Sequence, residues 1–93
     1  MHPPPAVPPE TAALLAWSAR LSDCADAARA QAVLLRDRVD ERGLTGPAGD
    51  ALAALGRAVA DELVQLAVRC QVAAGAVAGA AAEQARSSLG GRR

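Results

Sequence analysis

The sequence predicts an all-α fold, a hairpin of two long antiparallel helices that pairs into a four-helix bundle. Three observations on its 93 residues carry this: the residue types, the placing of glycine and proline, and the spacing of apolar positions. Ala fills 25 positions, Leu 11 and Val 8, whereas Ile, Phe and Tyr are absent and Trp17 is the single aromatic residue. Alanine and leucine lead the helix scale, and the residues that favour strands are scarce apart from the valines. The length suits one small domain.

Residues 1–9 contain Pro3, Pro4, Pro5, Pro8 and Pro9 and read as a proline-rich mobile arm that forms no backbone ladder. Pro9 suits the first position of a helix, where its missing N–H has no partner to lose, and Glu10 then meets the positive helix end. The hairpin spans residues 10–87. Its first helix covers about 10–42, a stretch without Gly or Pro. Gly43 stops that helix, residues 43–46 form the turn, and Pro47 opens a second helix over about 47–87. Residues 88–93 are glycine-rich and read as a flexible tail.

Steps of three and four residues mark one apolar seam on each helix. The first helix contributes Leu14, Trp17, Leu21 and Leu35 to the expected hairpin core, and the second contributes Val59, Leu63 and Leu66. Folding near Pro47 brings together residues whose numbers total about 94, among them Trp17 with Val77, Ala28 with Leu66, and Leu35 with Val59. Large then meets small in several layers, and Trp17 fills the space left by alanines. Its replacement by Ala is expected to cost about 3–5 kcal/mol if the ring is buried.

The same register sets Cys24 level with Cys70, which makes a disulfide geometrically credible if the protein is extracellular; two buried free thiols are the alternative, favoured in the cytosol. Two helices cover only one side of each other, so a second apolar row, Val64, Val68 and Val72 with Val33 on the first helix, is the expected partner interface. Arg36, Asp37, Arg38, Asp40, Glu41 and Arg42 form a mixed-sign cluster that reads as a solvated face.

Composition also excludes. Ten basic residues balance ten acidic ones, leaving no excess charge to hold nucleic acid, and the lack of a basic face argues against a membrane-active hairpin. The longest uncharged run, residues 71–82, falls short of the about 20 residues a bilayer requires, so no transmembrane segment is expected. Met1–Pro9 has neither the basic residue nor the apolar stretch of a Sec signal peptide. His2 is the only histidine, and Asp61 and Glu62 point about 100° apart on a helix. No catalytic, cofactor-binding or metal residue is expected, and the chain reads as non-enzymatic.

The turn Leu44-Thr45-Gly46-Pro47, followed by small residues and Leu52, resembles the turn of the WxG family of small type VII (ESX) secretion proteins. Thr45 and Gly46 match the x-G of that motif and Leu44 stands in place of its Trp. The likeness extends over residues 10–87 in length and layout. It implies a four-helix dimer, synthesis in the cytoplasm, export without a Sec signal, and a role as secretion substrate or as partner or chaperone of a larger exported protein. The family's export signal, a Tyr followed four residues later by an acid, has no counterpart because Tyr is absent. The resemblance therefore implies a heterodimer whose other chain carries the signal, with a homodimer as the alternative. A cytosolic adaptor or antitoxin-like hairpin that neutralises an effector is the second functional reading.

Overall fold

The computed structural model describes residues 7–90; residues 1–6 of the expected arm and 91–93 of the expected tail lie outside that range. The described chain consists of α1 (Pro9–Arg42) and α2 (Gly46–Gly90), and contains no strand. The two helices lie side by side as a helical hairpin, a slab with principal extents of 72 × 23 × 12 Å. Its 12 Å thickness is that of one helix with its side chains.

Local chemistry sets each helix end. Pro8 is extended (φ −54°, ψ 144°), Pro9 and Glu10 occupy the first turn, and the Ala12 N–H donates to the Pro8 carbonyl at 2.9 Å. At the other end Gly43 adopts the left-handed conformation (φ 56°, ψ 41°) that a side chain disfavours, and its N–H donates to the Asp40 carbonyl at 3.4 Å. Gly46 also has a positive φ of 78°, so right-handed helical backbone begins at Pro47. Leu44 is half-buried and folds over Gly49, where an added Cβ would stand 3.0 Å from the Leu44 carbonyl carbon. The α2 helix continues through Ser88 and Leu89, residues expected in the tail. No proline follows Pro47, and the first paired glycines come only at 90–91.

The seam between the helices is built from small residues at seven-residue spacing. On α2 these are Ala53, Ala60, Ala67, Ala74 and Ala81, none more than 8% exposed. On α1 the matching row is Thr11, Ser18, Ala25, Ala32 and Val39, of which Thr11, Ala25 and Ala32 are buried. A strict seven-residue repeat keeps one stripe facing its partner along the length of a left-handed supercoil.

Two contacts show how close the backbones come. The Ser18 hydroxyl, on a side chain only two bonds long, donates to the Ala74 carbonyl oxygen at 2.8 Å. At Gly56 an added Cβ would stand 2.5 Å from Val39 Cγ2, nearer than real Cβ contacts allow. Further out, Thr11 Oγ1 donates to Gln84 Oε1 at 3.1 Å, which satisfies a buried hydroxyl.

The residues that meet have numbers totalling 92 to 97, as in Ser18 with Ala74, Thr11 with Gln84, Val39 with Gly56 and Arg36 with Asp61. Close packing of this kind buries methyl groups and little else. No large side chain is fully buried among the described residues. The accessible surface is 6888 Å², against the about 5,000 Å² of a compact monomer of similar mass.

Candidate functional site

The large apolar side chains that the seam rejects gather beside it. The row flanking the seam on one side of α1 runs Glu10, Trp17, Cys24, Gln31 and Arg38, and that of α2 runs Leu52, Val59, Leu66, Ala73 and Ala80, again at seven-residue intervals. Trp17 is 55% exposed, Val59 and Leu66 each 44%, and Leu34, Leu52 and Leu55 are exposed around them. Two open grooves lie on this face. The larger, of about 750 Å³, runs between Trp17 and Ala80 and is edged by Glu10 and Glu83; the smaller, of about 160 Å³, lies among Gln31, Leu34, Leu35, Arg38 and Leu63.

The opposite face has another character. There Arg36 pairs with Asp61 across the helices, and Arg57 approaches Asp40 at 3.6 Å. Asp26 and Arg29 pair within α1 at 3.5 Å. All of these charged groups are well exposed, so each pair is worth only tenths of a kcal/mol; they share that face with the exposed Leu15, Val33 and Val68.

The expected hairpin core divides between seam and surface. Leu14, Leu21, Leu35 and Leu63 are half-buried along the seam, whereas Trp17, Val59 and Leu66 are exposed. The error is one of helix rotation. The α2 row 53, 60, 67, 74 and 81 faces α1 in place of the adjacent row 52, 59, 66, 73 and 80, while Leu63 and Cys70 keep their places beside it. Leu66 gives way to Ala67 opposite Ala28, and Val59 and Leu55 leave the seam to Ala60 and Gly56. On α1 only Trp17 and Cys24 are displaced, because they sit one position off the Ser18 and Ala25 row.

The expected disulfide is corrected as well. Cys24 and Cys70 are both free: Cys24 is exposed, while Cys70 packs against the Ala25, Ala28 and Ala67 cluster. The residue level with Cys70 is Ala25, and its neighbour Cys24 points about 100° away.

Of the expected interface residues, Val33, Val68 and Val72 are exposed and Val64 is half-buried. Val64 and Val68 follow the helical rows of Arg57 and Asp61, so they share the ion-paired face rather than the grooved one. In the turn, Gly43 and Gly46 supply positive φ, Leu44 covers Gly49, and Thr45 and Pro47 are exposed. The alanine row from 53 to 81 was the signal that pointed to the seam. It is hard to see in a chain whose 25 alanines populate every helical face.

Residues 46–89 include an 18-residue window of mean hydropathy 1.4 with at most two charges, so α2 is long and apolar enough, by length and composition, to cross a membrane. Counting only uncharged runs hid this, because isolated charges break a helix that is apolar on average. The chain matches no protein-family model, no curated protein and no solved structure.

Proposed function

We propose that this protein is a non-enzymatic interaction protein whose grooved apolar face docks on a second helical chain, completing a four-helix bundle. One observation carries the proposal. Trp17, Leu34, Leu52, Leu55, Val59 and Leu66 stand exposed around one side of the slab, while on its other side the exposed Leu15, Val33 and Val68 are interspersed with ion pairs. Exposed apolar surface gathered in this way marks a binding site, because leaving it in water forfeits the burial energy that the alanine seam does not supply.

The turn Leu44-Thr45-Gly46-Pro47 and its likeness to the WxG family support the narrower reading, a type VII secretion substrate or the secretion partner of a larger exported protein. On that reading the absence of Tyr places the export signal on the other chain. The cytosolic adaptor reading requires that Cys24 and Cys70 be reduced in the cell, as a reducing compartment keeps thiols.

Co-expression with the product of the adjacent gene tests the interaction. Leu66→Asp, which buries an unpaired charge in the interface, is expected to abolish a stable complex while the circular dichroism of the hairpin stays helical. Val68→Asp, on the ion-paired face, is expected to leave the complex intact; the reverse result would move the interface to the valine row. Recovery of the chain from culture medium favours secretion, and its confinement to cells favours the adaptor.

A further inference from the structure

The larger groove lies at the end of the hairpin where the chain enters α1. Its walls are the first turns of α1, from Glu10 to Trp17, and the last turns of α2, from Ala80 to Ser87. Glu10 and Trp17 stand about 10 Å apart along the helix, a span that three or four residues of a polyproline helix match. Two of the polar side chains at the rim are engaged, Gln84 by Thr11 and Glu83 by Arg86. What remains is an apolar floor with the exposed ring of Trp17 beside it. An ordinary extended peptide laid on that floor leaves backbone N–H groups without acceptors, at a cost. The segment that precedes α1 avoids this cost. Of residues 3–8, Pro-Pro-Pro-Ala-Val-Pro, only Ala6 and Val7 carry a backbone N–H. Pro8, with φ −54° and ψ 144°, is already near polyproline geometry.

We infer that the larger groove is the docking site of the chain's own proline-rich arm, which folds back along the first turns of α1 and sets Pro3–Pro5 on the ring of Trp17. The reach suffices: five residues of polyproline helix from Val7 back to Pro3 cover about 15 Å, and Trp17 lies about 14 Å along the axis from Pro8. A side chain on a helix also leans toward the N-terminus, which brings the ring nearer the arm. Grooves lined by aromatic rings take proline-rich segments because such segments give up little chain entropy on docking, and the proline carbonyls can accept from the indole N–H. The arm has no acidic residue to meet Glu10, and its one ionisable side chain is His2. Tethering supplies it at an effective concentration that a separate peptide lacks. Leu34, Leu52, Leu55, Val59 and Leu66 lie outside this groove, so the arm leaves that part of the face to a partner.

Trp17 is the only tryptophan, so its fluorescence reports on the groove directly. The test compares the full chain with one carrying Pro3→Gly, Pro4→Gly and Pro5→Gly together, which keeps the length of the arm and loosens its polyproline helix. Covering one face of the ring roughly halves its exposure, so acrylamide quenching is expected to rise about twofold in the glycine chain, with emission moved to the red. Both differences are expected to persist on dilution. Nuclear Overhauser contacts between the proline δ protons of residues 3–5 and the indole protons are expected in the full chain. Equal quenching in the two chains, with circular dichroism showing both helical, overturns the docking. Protection of Trp17 that is lost from the full chain on dilution overturns it as well, and assigns the cover to another molecule. Leu66→Asp is expected to leave the quenching difference unchanged, so loss of the partner complex and loss of the docking are separate results.

Discussion

Ala67 and Leu66 are neighbours in sequence, yet one is fully buried and the other 44% exposed. The seam and the face beside it invert the usual arrangement of a small domain: the seam takes the smallest side chains and the face keeps the largest. Small side chains let the backbones of α1 and α2 come close enough for the Ser18 hydroxyl to reach the Ala74 carbonyl. That closeness leaves no room for leucine in the alanine row itself, so Leu14, Leu21, Leu35 and Leu63 are only half-buried along its edge and the burial energy of Trp17, Val59 and Leu66 is held back on the surface. The hairpin is thus shaped by its alanines, and its leucines and tryptophan remain to be covered by something else.

Filling the seam breaks this division most directly. Ala67→Leu should push the helices apart and lower stability by about 1–3 kcal/mol, read from chemical denaturation; an unchanged midpoint would show that the seam has slack. At Gly56 the prediction concerns sign. Gly56→Ala gains up to about 1 kcal/mol of helix propensity but drives a methyl into Val39, and the net effect should be a loss of about 1 kcal/mol. In a Val39→Ala background the same substitution should become stabilising, and a loss in both backgrounds would mean that Val39 is not the obstacle.

Smaller effects belong to the faces. Trp17→Ala should cost the dissociated hairpin under about 1 kcal/mol, not the 3–5 kcal/mol of a buried ring, because Trp17 is 55% exposed. A loss of several kcal/mol at concentrations where the chain is monomeric would put the ring back in the seam. Smallest is Arg36→Ala, which removes the pair with Asp61; about 0.5 kcal/mol or less is expected, and high salt should erase the difference.

Much of the fold was legible because it rests on local chemistry. Gly43, Pro47 and the breaker-free stretches around them placed both helices and the turn to within a few residues. The candidate site was less legible. Its residues Trp17, Val59 and Leu66 were all singled out, but as core, since a reading by size assigns the largest apolar side chains to the interior. The Val64, Val68 and Val72 row followed from that choice, and it falls away from the grooves.

By itself the sequence determined that the chain is helical, where it turns, and that more apolar surface exists than two helices hide from each other. Only the tertiary structure decided which stripe of α2 faces α1. Neighbouring residues point about 100° apart on a helix, so a turn of α2 about its own axis exchanges Leu66 for Ala67 at the seam. Composition cannot choose between two adjacent apolar rows. The closeness of the two backbones chooses, because a row of methyl groups lets them approach and a row of leucines holds them apart.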